Sequence, residues 1–195
     1  MQEIFMFLIS SLALTLMPGP DILFVINQSL NNKKHGFLVS IGLCSGLVIH
    51  TCLISIGLSS FIENNPSFIE LLKYFGACYL FYLAYLETKN NKHLKSKNNS
   101  KKYFLRGLYM NLINPKVLLF FIAYLPNFIF SDSIKVSYQI LLLGFIFTLQ
   151  AFIIFLIVSL TSNYISQKIG VEFNSNKIMY LKAFIFIIIG ILILL

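Results

Sequence analysis

Two charged residues follow breaks in otherwise apolar sequence. Asp21 closes the run Met17-Pro18-Gly19-Pro20-Asp21, and Lys116 closes Asn111-x-x-Asn114-Pro115-Lys116. A carboxylate in such a place can take up and release protons, and a fixed cation can hold a substrate carboxylate. Ionisable groups within a membrane are costly, and they mark ion or substrate paths. The prolines beside them matter as much. Pro18 and Pro20 offer no N–H and Gly19 admits unusual dihedrals, so an unbroken helix through them is not expected. Asn114-Pro115 favours a second break, where the Asn amide can satisfy freed backbone groups. Unwound main chain at membrane depth survives only where it is buried in protein or lines a cavity. The plainer readings are simple proline kinks and a Lys116 that reaches out to lipid headgroups.

His50 is the third candidate. Gly42, Gly46 and His50 recur every four residues and so share one helical face. Gly42-x-x-x-Gly46 allows close approach of a neighbouring helix, which turns His50 toward protein, either to titrate or to sit as a satisfied neutral ring. Gln150, deep in another apolar run, is expected to hydrogen-bond across helices. Cys44, Cys52 and Cys78 lie in apolar stretches, odd in number and with no C-x-x-C pair, which suggests neither a disulfide framework nor a metal site. His50 and Cys52 point about 200° apart around a helix, so they form no ligand pair. No G-x-S-x-G, H-E-x-x-H or phosphate-binding glycine loop is present, so no enzyme chemistry, cofactor or nucleotide drive is expected.

The elements that must carry these residues are membrane helices. Of 195 residues, 57% are hydrophobic and 11% charged, where a soluble domain carries about 25% charged residues. Mean hydropathy is +0.81. Six apolar stretches, near 4–26, 37–62, 68–86, 112–130, 138–161 and 178–195, each approach the roughly 20 residues a helix needs to span hydrocarbon. Continuous apolar runs exclude the alternation of barrel strands. Glu3 without Lys or Arg before a long first stretch argues against a cleavable leader. The fold expected is an all-α membrane protein, one domain over 1–195.

The net charge of +8 suits loops in contact with cytoplasm better than nucleic acid. The first, third and fifth connectors hold two, seven and two Lys or Arg residues. That places them in the cytoplasm and both termini outside. The longest connector, 87–107, reads as a basic linker between a first half (about 1–86) and a second (about 108–195). The halves echo one another. Pro20-Asp21 and the apolar run after it resemble Pro115-Lys116 and its run, and Leu72-Lys73-x-Phe75 resembles Leu181-Lys182-x-Phe184. Three helices per half invert the second relative to the first, as in many secondary transporters, and broken helices in matching positions point to the transport site.

Pro18-Gly19-Pro20-Asp21, Gly36, Gly42-x-x-x-Gly46, His50, Gly107, Asn114-Pro115-Lys116 and Leu125-Pro126-x-Phe128, in this order, resemble the LysE/RhtB family of amino-acid exporters over nearly the whole chain. The resemblance implies efflux of amino acids or their derivatives across the inner membrane, driven by protons. The substrate pathway is expected at Pro18, Gly19, Pro20, Asp21, His50, Asn114, Pro115 and Lys116, with helix packing at Gly42 and Gly46. In that mechanism the N–H groups exposed at the breaks and Lys116 attract a substrate carboxylate, while Asp21 couples or braces the break. The amino acid, the lipid bilayer and a proton are the partners expected. Homo-oligomeric assembly stays open. An ion or metal efflux protein and a non-transporting assembly subunit are the alternatives.

Overall fold

Proline chemistry sets where the helices divide. The computed structural model describes residues 2–17, 19–57, 59 and 103–169, with single helical positions between 71 and 88 and between 180 and 194. Within it the first apolar stretch is two helices, α1 (Gln2–Leu16) and α2 (Pro20–Asn31), bent by 53°. Pro20 stands in the first turn of α2, where its missing N–H breaks no helical bond. α3 (Lys33–Gly57) follows after one residue, Asn32. The Asn32 N–H donates to the Gln28 carbonyl at 3.1 Å, its own carbonyl accepts from His35 at 2.9 Å, and its side chain accepts from the Lys34 N–H at 2.9 Å. One residue therefore closes a helix and opens the next.

The second bent element is built alike. α4 (Tyr103–Ile113) meets α5 (Pro115–Leu119) at Asn114, and the two halves of this pair are bent by 54°. Beyond α5 come a π-helical turn, Phe120–Tyr124, and a 3-10 turn, Leu125–Phe128. Pro126 explains both. It cannot serve the Ile122 carbonyl, so the helix widens before it and tightens around it. Asn127 covers part of this stretch by donating to the Tyr124 carbonyl at 3.1 Å. α6 (Val136–Ile169) is the longest helix described.

The fourth apolar element differs from its sequence expectation. It begins at Tyr103 rather than Leu112, which draws residues 103–107 out of the segment expected as linker and puts the break in its middle. The reason is a face that hydropathy does not display. Tyr103, Gly107 and Asn111, four residues apart, are the buried side of α4. A Cβ on Gly107 would collide with the Val39 carbonyl, and one on Gly42 with the Phe104 carbonyl. The two main chains touch there, as small residues permit. Gly46 likewise packs against the Asn111 side chain.

The outer surface is apolar where water would demand polar groups. On α6, Phe145, Leu149, Ile153, Ile157 and Leu160 are exposed along one stripe, while Ile140, Leu143, Phe147, Ala151 and Phe155 are buried. A continuous apolar stripe of this size faces lipid. Among the described residues α3 and α6 are each long and apolar enough to cross a bilayer, and each bent pair also qualifies if taken as one span. The fold is all-helical with at least two membrane-spanning segments. The expected third and sixth spans and the 72–75 and 181–184 echo fall largely outside the described residues.

Contacts between the bent pairs run in opposite order along the two elements. Phe7 packs edge-on against Phe128 at 5.4 Å between ring centroids. Lys116 reaches Leu14 and Asn114 reaches Asp21. The two elements therefore lie antiparallel and cross at their breaks.

Candidate polar site at the crossing of two broken helices

A helical carbonyl accepts from the N–H four residues on, and a proline at that position leaves it without a donor. By sequence alone Leu14 loses its donor to Pro18, Leu16 to Pro20 and Asn111 to Pro115. In hydrocarbon each of these oxygens needs another partner. The Leu14 carbonyl accepts from Lys116 Nζ at 3.0 Å. The Asn111 carbonyl accepts from the Asn114 N–H at 3.0 Å. The first break is thus relieved at Leu14 from the opposite half of the chain, and the second at Asn111 within its own turn.

Asn114 organises the charges. Its Oδ1 accepts from the Lys116 N–H at 3.1 Å and caps α5. That fixes the amide orientation and turns Nδ2 outward, where it donates to both Asp21 carboxylate oxygens at 3.0 Å. Asp21 lies in the first turn of α2 and is 5% exposed, so the helix N-terminus also favours its negative charge. Gly19 lies beside Lys116: a Cβ there would stand 3.4 Å from Lys116 Nζ, an ordinary contact.

One side of the crossing is sealed by rings. Phe120 lies 4.5 Å from Phe147, 5.2 Å from Tyr124 and 6.1 Å from Phe7 between centroids. His50 stacks on Phe121 at 5.6 Å. The other side, along α2, is less well satisfied. Gln28 is 1% exposed, and neither atom of its amide has a hydrogen-bond partner. His50 Nε2 and Asn111 Oδ1 are likewise buried and unpartnered. Gln150 of α6 meets Ser11 of α1 at 3.3 Å.

Gly19, Pro20, Asp21, Asn114, Pro115 and Lys116 are brought together, while His50 stacks on Phe121. Pro18 lies outside the described residues. Gly42 and Gly46 stand apart, at the contact of α3 with α4. Sequence reasoning missed Gln28, although its position seven residues after Asp21 puts it on the same helical face. It also gave no role to the Asn111 side chain. Among the described residues, no group of three His, Cys, Asp or Glu is gathered as a metal ion would require.

Two broken helices that cross at a buried charged junction, beside helices of membrane-spanning length and apolarity, are the arrangement of a translocator. The model of one family, the LysE type translocators, matches residues 12–195, and the chain belongs to that family. The homoserine/homoserine lactone efflux protein of Salmonella typhimurium (strain LT2) is 32% identical over 146 residues, which cover 72% of this chain and 70% of that protein. The protein of the same description from Salmonella typhi matches with the same identity and coverage. No solved structure is significantly similar to the chain.

Proposed function

We propose that this chain exports amino acids or their derivatives across the cytoplasmic membrane as a secondary transporter coupled to protons, by alternating access around the Asp21–Asn114–Lys116 crossing. The observation that carries the proposal is the grip of Asn114 on Asp21 where the two breaks meet. A carboxylate and an ammonium at membrane depth are functional groups by default, and here both stand beside unwound main chain. Lys116 takes the substrate carboxylate, and Asp21 carries the coupling proton. The two bent pairs belong to inverted three-helix halves within a six-span protein. Lys33, Lys34 and the 87–107 segment face the cytoplasm, and both termini lie outside. The rings around Phe120 then close the outer side, so substrate enters along α2. Homoserine and its lactone, named for the relatives, are the first substrates to test.

The test is uptake of radiolabelled amino acids into everted vesicles holding the full chain, with and without an imposed proton gradient. Gradient-dependent uptake that is lost in Asp21→Asn and Lys116→Ala, with both variants inserted at normal levels, supports the proposal. Wild-type rates in both variants overturn the site, and uptake of no amino acid overturns the function.

A further inference from the structure

We propose that α2 is the cytoplasmic gate of the transporter: a rigid helix that turns on Asn32 and is latched closed where Ser29 meets Ser159 over Gly36, with Gln28 keeping the latch reversible. This rests on the export reading above and deepens it.

The latch is a contact of three helices through small residues. Ser29 Oγ of α2 donates to Ser159 Oγ of α6 at 2.9 Å, and both side chains are buried. Gly36 of α3 lies directly against them. A Cβ there would collide with Ser29 Oγ and stand 2.7 Å from Ser159 Oγ. Apolar side chains would serve a permanent junction as well. The residues from 27 to 32 instead read Asn-Gln-Ser-Leu-Asn-Asn. Polar groups of this kind are satisfied by each other or by water, so this end of α2 can leave its neighbours without stranding an apolar face in a hydrated opening.

The hinge is one torsion. Asn32 alone separates α2 from α3 and is extended. Its N–H donates to the Gln28 carbonyl and so belongs to α2. Its carbonyl accepts from His35 and Gly36, and its side chain accepts from Lys34, so both belong to α3. Rotation about the Asn32 N–Cα bond leaves all of these hydrogen bonds intact, and the extended region is broad in φ. Hinges are a few residues at element ends that absorb such changes. The other end of α2 is freed by the break before Pro20, where the chain already bends by 53°. Turning α2 there carries Asp21 with it and so couples the gate to the crossing.

Gln28 explains why the closed form is not a dead end. It is nearly inaccessible, and neither its amide oxygen nor its amide nitrogen has a partner. Buried amides are almost always satisfied, so one orphaned at both ends requires an explanation. A swing of α2 wets the amide and repays its desolvation. The closed form is thereby raised toward the open one, as a gate that must release needs.

The experiment reads access to a thiol on α2. Val25 is fully buried one turn before Ser29, and Val25→Cys puts a small apolar side chain in its place. It is made in the full chain with Cys44, Cys52 and Cys78 replaced by Ala. A membrane-impermeant maleimide then labels it in everted vesicles, which present the cytoplasmic face, and in right-side-out vesicles. Adding Gly36→Ala blocks the latch and should speed labelling of everted vesicles by about fivefold or more. Adding Ser29→Gly to that variant makes room for the new methyl and should bring the rate back toward its starting value. Gln28→Leu removes the unpaired amide and should slow labelling by about fivefold or more, with an equal or higher unfolding temperature in detergent. Labelling of right-side-out vesicles should follow none of these changes. Unchanged labelling in Gly36→Ala overturns the latch. Faster labelling that Ser29→Gly does not reverse, or that rises equally from both faces, marks general loosening and overturns it too. Gln28→Leu that labels as fast as its parent overturns the part given to Gln28. In each of these outcomes export that depends on Asp21 and Lys116 still stands, because the uptake assay reports it separately. Absence of amino-acid flux in wild type would remove both readings.

Discussion

Replacing Asn114 by Ala tests the crossing most directly. The substitution removes two distinct things: the cap on α5, from Oδ1 to the Lys116 N–H, and the donation from Nδ2 to Asp21. Loss of an N-cap costs about 1 kcal/mol. A hydrogen bond to a charged group contributes about 1.5–3 kcal/mol, so the total expected is about 2.5–4 kcal/mol. The two parts separate in a double-mutant cycle. In an Asp21→Ala background the donation is already gone, and Asn114→Ala should cost only the cap, about 1 kcal/mol. The coupling energy is then about 1.5–3 kcal/mol, well above the roughly 0.6 kcal/mol average for cross-helix hydrogen bonds in membranes. Unfolding by SDS in mixed micelles, followed by circular dichroism, gives all four corners. A coupling energy at or below that membrane average would refute the reasoning, because Asn114 would then not be holding a charged carboxylate.

Other perturbations have readings as definite. Lys116→Met should destabilise the fold by about 1–3 kcal/mol, by stripping the Leu14 carbonyl of its donor, and the same unfolding assay measures it. Gly42→Leu and Gly107→Leu each drive a side chain into a facing carbonyl and should cost at least about 1–3 kcal/mol. Gly57→Ala, with nothing within 4 Å, should change stability little, and equal behaviour of all three would contradict the close contact of α3 and α4. Gln139 accepts from the Phe130 and Ser131 N–H groups at 2.8 and 3.1 Å and donates to the Ser131 and Ile134 carbonyls at 2.6 Å. Gln139→Leu should therefore speed hydrogen exchange at the Phe130 and Ser131 amides by about fivefold or more while leaving α3 protected, since those amides lose a partner worth about 1 kcal/mol or more. Unchanged exchange there would rule out Gln139 as the clasp of that loop.

The sequence states some of this structure openly and hides the rest for identifiable reasons. Both breaks are legible because proline is the one residue that cannot donate, and so the positions of Pro20 and Pro115 predict the helix starts seen at those residues. Asp21 and Lys116 are legible because charge in an apolar run is conspicuous. That they meet through Asn114 is not legible, because the pairing depends on two elements 93 residues apart lying antiparallel. The start of α4 is obscured by its composition: Lys101, Lys102 and Arg106 suggest a solvated linker, while the contact that makes it a helix is carried by Gly107, which has no side chain for a hydropathy reading to register. Gln28 is obscured in the same way. One amide among Ile26, Asn27 and Ser29 looks like ordinary polarity at a helix end, and only its burial without a partner distinguishes it.

The first break differs from an ordinary kink in how its Leu14 oxygen is satisfied. A kink in a lone helix can recover its carbonyls locally, through a nearby Ser or Thr or a tightened turn. Here the relief comes from the opposite half of the chain, with Lys116 on the Leu14 carbonyl. The first broken helix is then incomplete without the second, and the two share one polar junction. Any motion that separates them at that junction must supply a new donor to the Leu14 carbonyl and a new partner to Asp21. Water or a bound solute with N–H groups can do so, and lipid cannot. Opening at the crossing is therefore tied by main-chain chemistry to the arrival of a polar occupant. That constraint holds for any cargo.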